Sequence, residues 1–391
     1  MVSRLFKLAS ALALAAVTSG VPSAQTAGVT SGVQPAFHYI GPLTFGPDAV
    51  LFAGDSQDVS IYALDLSRHV QGGVPGTKDI ASVDQKIAAL LGTEAGNLTV
   101  TDLAVHPTTR NAFISVMRGQ GAGAAAVLLR VDGAGAITVV PWDQVRYTKV
   151  KLPNPPGEVT PLVLQGGREF PVPNYPIRPK TGERAMNVFG VQTITDMAYT
   201  DGRLYVAGLS SEEFASNLRS IAYPFKTVDK GTSVEIWHAP HAQFETRSPV
   251  YTFVPYRIGG EPHLIASYLC TPLVKFPISS LKPNADVRGV TIGEFGTGNR
   301  PLDMIVYKKN GEDFLLMSNN VRGVMKIPTA GFGTAAPITT PVPNGSTAGV
   351  IHETIPAMKG VEQLDLLDGT HALLLQRAEP ASLNLTAAVL P

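Results

Sequence analysis

The feature that most constrains this chain is a short hairpin that returns along its whole length. Val100-Thr101-Asp102-Leu103-Ala104-Val105, Ile194-Thr195-Asp196-Met197-Ala198-Tyr199 and Arg300-Pro301-Leu302-Asp303-Met304-Ile305-Val306 each read as a strand with an Asp near its start. A turn follows each, and then a second apolar strand at 112–116, 203–207 and 313–317. Three further copies, read without the Asp, run through Phe45 into 50–54, through Tyr256 into 263–267 and through Leu366 into 372–375. Gly (38) and Pro (31) fill 69 of 391 residues and punctuate these runs, as tight turns require. Outer strands follow at 60–64, 127–131 and 273–276.

A ribbon that is apolar on both faces needs a neighbour on each side. Radial repetition supplies them, so the expected fold is all-β: a six- or seven-bladed β-propeller with one short helical insertion. The blade count stays open because Asp102 and Asp196 are 94 residues apart, against 60 from Asp303 to Gln363. The Pro-rich interval 141–191 is either a decorated loop or a degenerate seventh blade. The helix is expected over 79–92, where apolar residues at 80, 83, 87, 90 and 91 have helical spacing and Gly92 supplies a C-cap. It is read as an insertion in the first blade that covers a blade edge.

Residues 1–27 have the layout of an export signal: Arg4 and Lys7, an apolar run from Leu8 to Val17, then small and polar residues, with cleavage expected at about 20–27. That run is too short for a bilayer span, which needs roughly 20 residues. The expected mature chain is therefore a single propeller domain over 37–391, periplasmic or extracellular and monomeric, with no transmembrane segment. Its charge would be 29 basic against 31 acidic side chains. Such a balance supplies no basic footprint for nucleic acid. The single cysteine, Cys270, excludes an internal disulfide or a Cys-rich metal centre and reads as a buried small hydrophobe.

The ribbons Leu51-Phe52-Ala53-Gly54-Asp55, Ile61-Tyr62-Ala63-Leu64-Asp65 and Leu204-Tyr205-Val206-Ala207-Gly208 resemble exported propellers of the YVTN-repeat and quinoprotein-like superfamily. The resemblance covers roughly 40–390 and concerns the fold. Its quinone-dependent members imply redox chemistry, but this chain lacks their adjacent cysteines and the Cys-x-x-Cys-His haem attachment.

In an up-and-down blade, the start of the inner strand and the end of the second strand lie at one end. Asp102, Asp196 and Asp303 are therefore expected on one axial face with Arg118, Glu212, Asn217, Asn319, Asn320, Arg322 and Arg377, converging on a funnel. Two readings of the aspartates compete. Three carboxylates offer hard oxygen ligands for Ca²⁺ or another divalent metal. Alternatively, each accepts backbone amides from an adjacent blade and locks the ring, with the arginines paired to carboxylates. His238 and His241 form a second candidate metal pair, with His263 as a third ligand, although an exposed loop pair is the plainer account. No nucleophile elbow, phosphate loop or dinucleotide fingerprint occurs. The sequence thus points to a non-enzymatic binding scaffold for a protein or surface-glycan partner, with no cofactor expected. A metal-assisted hydrolase or lactonase at the funnel is the alternative, and a redox-accessory protein the third.

Overall fold

The computed structural model describes residues 28–71, 73, 79–156, 162–163, 169–170, 192–269, 271–378 and 382–391. The expected export signal (1–27), Cys270 and most of the interval 157–191 lie outside them. Among the described residues, no helix is long and apolar enough to cross a membrane.

All six hairpins read from the sequence form, and each is the inner half of a blade. Blade I contains β1 (Thr30–Val33), β2 (Leu43–Phe45), β3 (Val50–Asp55), β4 (Ser60–Asp65) and β9 (Arg146–Lys151). Blade II contains β5 (Leu98–Val105), β6 (Ala112–Arg118), β7 (Ala125–Val131) and β8 (Ile137–Val139). A separate hairpin, β10 (Leu162–Val163) with β11 (Glu169–Phe170), precedes blade III. Blade III runs through β12 (Asp196–Thr200), β13 (Arg203–Leu209), β14 (Ser216–Ala222), β15 (Thr232–His238) and β16 (Gln243–Glu245), with β20 (Asp286–Arg288) added parallel to β15. Blade IV has β17 (Thr252–Ile258), β18 (Glu261–Ser267), β19 (Pro272–Pro277), β21 (Val290–Phe295) and β25 (Thr347–Gly349). Blade V has β22 (Pro301–Lys309), β23 (Glu312–Asn319), β24 (Gly323–Pro328) and β26 (Glu353–Ile355). Blade VI has β27 (Val361–Leu366), β28 (His371–Arg377) and β29 (Leu383–Val389).

The propeller has six blades, and the described start of the long interval belongs to blade I. Blade II is inserted between the third and fourth strands of blade I. After completing β8, the chain returns to lay β9 against β4, in register from Ser60↔Lys151 to Asp65↔Arg146.

Strand period then decides which blades touch. Successive side chains point to opposite faces, so Leu51 and Ala53 pack against Phe113 and Leu128 of blade II, while Phe52 packs against Leu204 and Val206 of blade III. Four further cores join III to IV, IV to V, V to VI and VI to II. The order around the ring is I–III–IV–V–VI–II, which is not the order along the chain.

The helix is α1 (Val83–Leu90), and Gly92 beyond it adopts φ +64, as a C-terminal glycine should. Val83 and Ile87 enter the core between blades II and VI, whereas Leu90 is 47% exposed, so the apolar stripe is narrower than its spacing suggests. The edge it covers belongs to the last blade rather than the first. Blade VI has only three strands, and Ile80 exchanges backbone hydrogen bonds with Leu385 at 2.8 and 3.0 Å as a partial fourth. Asn384 Oδ1 and Asp79 Oδ1 add bonds from the amides of Ser82 and Ala387.

Candidate functional site

Three expected aspartates face the axial space, and a fourth that was not expected, Asp365, makes the same pair of bonds two residues beyond Gln363. Asp102, Asp196, Asp303 and Asp365 each precede a Leu or Met, and one carboxylate oxygen accepts that residue's own amide at 2.7–2.8 Å. The other oxygen accepts an amide from the next blade. Asp102 takes Leu43 at 2.6 Å, Asp196 takes Phe253 at 2.8 Å, Asp303 takes Leu364 at 2.8 Å and Asp365 takes Val105 at 2.7 Å. These bonds tie II to I, III to IV, V to VI and VI to II.

Sequence reasoning missed Asp365 because the sixth hairpin was aligned on its turn. The recurring Asp-Leu or Asp-Met pair, present in Asp365-Leu366, was the signal that could have found it. Gln363 was recognised as the repeat position matching Asp303 but was given no role in the site. It follows a bulge in β27, as Asp102 and Asp303 follow bulges in β5 and β22. Oriented with its amide nitrogen toward the acids, it donates to Asp303 Oδ2 at 2.9 Å and Asp102 Oδ1 at 3.0 Å.

Asp102, Asp196 and Asp303, with Gln363, line a space of about 40 Å³ beside Thr101, Thr195 and Thr252, whereas Asp365 lies outside that lining; all four aspartates keep some accessible surface while lying deep in the protein. Burial dominates their acidity. It pushes Asp196 up to about 7 and Asp365 up to about 6. Asp102 and Asp303 are raised well above the usual carboxylate range by burial, and the neighbouring acids raise them further.

The structure brings the three expected aspartates together, but the other candidates do not line this space. Arg118 donates to Leu91 O at 3.2 Å, and Arg377 makes a paired contact with Glu362 at 2.6 and 2.8 Å. Glu212 contacts the Asn154 amide and Lys230. Asn217 is buried in β14 beneath Gly231, where an added Cβ would meet its Oδ1 at 2.3 Å. Asn319 closes the turn after β23 by accepting the amides of Val321 and Arg322 at 2.9 Å, and Asn320 accepts the Arg300 amide at 2.6 Å. Arg322 lies against Gly296, whose φ of +90 and lack of a side chain leave room for the guanidinium.

Among the described residues, two clusters bring three ligating side chains within 4.8 Å of one another, and the axial ring is not one of them. In the first cluster, His38–Asp55–Asp58, the Asp55 carboxylate accepts the amides of His38, Tyr39, Gln57 and Asp58, and Asp58 pairs with Lys149 and Lys151. Its charge is already answered by protein. The second joins His238 and His241 to Glu245, not to His263, which contacts the Glu261 carbonyl at 2.9 Å. Burial raises the Glu245 carboxyl, but its contacts with both imidazoles prevail and hold it at about 2.

A larger cleft, about 330 Å³, opens on the outer wall between blades III and IV. Trp237 and Phe244, a cross-strand pair, meet edge to face with centroids 5.2 Å apart, and the Arg288 guanidinium lies 3.9 Å from the Phe244 ring centre. Val290, Pro337 and Ile338 complete its apolar side. Sequence patterning gave no sign of it, because its walls come from three separate segments.

No protein-family model and no curated protein matches the chain. Among solved structures, it is similar to the PQQ-bound form of an aldose sugar dehydrogenase from Streptomyces coelicolor, at 10% identity and TM-score 0.30, over 93% of this chain and 99% of that one.

Proposed function

We propose that this chain is an exported, non-enzymatic binding scaffold whose partner is a surface glycan, docked at the Trp237–Phe244–Arg288 cleft. One observation carries the reading: the acids that could do chemistry are committed to tying blades together, while the cleft presents aromatic faces and a guanidinium. The cleft's volume falls in the range of small-ligand sites, roughly 300–1,000 Å³, and its lining includes no carboxylate, histidine or cysteine. A flat ring beside a cation suits a sugar, which offers an apolar face and hydroxyl edges to the same surface.

The hydrolase alternative needs room for a substrate carbonyl beside a metal-bound water. A space of about 40 Å³, with Gln363 bridging two of its acids, offers little.

Glycan-array screening followed by fluorescence titration tests the proposal. A glycan that binds and perturbs Trp237 emission, with no turnover of esters, lactones or glycosides, is the expected result. Hydrolysis abolished by Asp196→Ala would replace this reading with the axial hydrolase.

A further inference from the structure

We propose that His238, His241 and Glu245, backed by Glu294, form a site for one divalent transition-metal ion, with Zn²⁺ the ion that the donor set fits. The inference is independent of what the cleft binds.

His238 ends β15 and is buried, His241 lies in the tight turn Ala239–His241, and Glu245 ends β16. Glu245 Oε2 is 3.0 Å from His238 Nδ1, and Oε1 is 2.5 Å from His241 Nδ1. Ligands bound at about 2.0–2.1 Å around a tetrahedral ion stand roughly 3.3 Å apart, so small rotations admit the ion. The two imidazoles are borderline donors that, with one hard carboxylate beside them, favour Zn²⁺ over Ca²⁺ or Mg²⁺.

Glu294 supplies the second, independent observation. It lies on β21 of blade IV and is fully buried; its Oε1 accepts the Ala239 amide at 3.1 Å, next to His238. Its Oε2 is buried and, among the described residues, has no hydrogen-bond partner. Leaving a carboxylate oxygen so is costly, and a cation held by the adjacent histidines answers it directly or through a bound water. Such an ion would join the outer strands of blades III and IV. Because Trp237 pairs with Phe244 while His238 pairs with Gln243 one residue on, the ion would sit behind the hairpin that carries the aromatic cleft.

The test uses the full chain stripped by chelator, titrated with ZnCl₂ by calorimetry and with Co²⁺ by visible absorption. The expected result is one equivalent bound, a rise in unfolding temperature, and the intense absorption of low-coordinate Co²⁺. His241→Ala should weaken Zn²⁺ binding by at least ~10-fold. The metal-free variant should melt as the metal-free parent does, since the His241 side chain is 48% exposed. Glu245→Gln is the second variant, with the same loss expected, and His38→Ala should bind normally. Binding below about a tenth of an equivalent, undiminished affinity in both His241→Ala and Glu245→Gln, or loss in His38→Ala alone would overturn the assignment.

Discussion

The Asp365 carboxylate accepts the amide of Val105 at 2.7 Å across 260 residues of chain, and by that bond the last blade holds the second. A ring must be closed somewhere, and here polar contacts close it beside the apolar core between the same two blades. Asp365→Ala would strand two amides, those of Val105 and Leu366. The expected cost is about 2–4 kcal/mol, read from the urea midpoint at constant m value. A loss below ~0.5 kcal/mol would show that the clasp is dispensable.

The pH dependence of stability should carry the mark of Asp196. Unfolded, this carboxyl gives up its proton near 3.8; folded, burial holds the proton until about 7. Between these values the native state binds more protons, so this group's contribution to stability is full below the lower value, falls as pH rises through the upper, and is flat beyond. Asp196→Asn removes the titration. The stability difference between parent and variant should therefore move in the variant's favour from pH 4 to pH 8, by on the order of a few kcal/mol. Parallel stability curves for the two proteins would refute the weakened acidity of Asp196.

Two neighbours on one helix should respond unequally to truncation. Ile87 is buried between blades II and VI, and Leu90 is 47% exposed. Ile87→Ala should cost about 2–4 kcal/mol and Leu90→Ala less than about 0.5, by thermal or urea unfolding. Equal losses would mean that the helix packs on a different face.

At the cleft, Phe244→Ala and Arg288→Ala should each lower affinity for the bound glycan by about 10-fold. The unfolding temperature of Phe244→Ala should barely change, because Phe244 is 44% exposed, whereas Arg288→Ala also removes the partner of Glu235 and should lower it slightly. Titration of the variants against the parent checks this, and unchanged affinity in both would move the glycan elsewhere.

A single substitution tests the backbone at blade IV. Gly349 has φ +79, and a Cβ there would meet the Ile292 carbonyl oxygen at 2.1 Å. Gly349→Ala should destabilise by at least ~2 kcal/mol, measured by urea unfolding, because an L side chain is strained at that angle and the contact is with backbone. A neutral variant would show that β25 can detach from β21 without loss.

Strand identity, hairpin pairing and the recurrence of blades were legible in the sequence, because period-two apolar runs and Gly/Pro turns are local properties of the chain. The gathering of Asp102, Asp196 and Asp303 followed from hairpin topology alone. Partner choice was not local. Whether Leu51 would face blade II or Phe52 blade III, where β9 would return, and which amide each aspartate would hold depend on contacts between segments up to 260 residues apart. The cleft and the His238–His241–Glu245 cluster needed the same information. Pairing energies between distant strands arise only when the ring closes, so the sequence determined the ribbons and the tertiary structure decided their order and what meets between them.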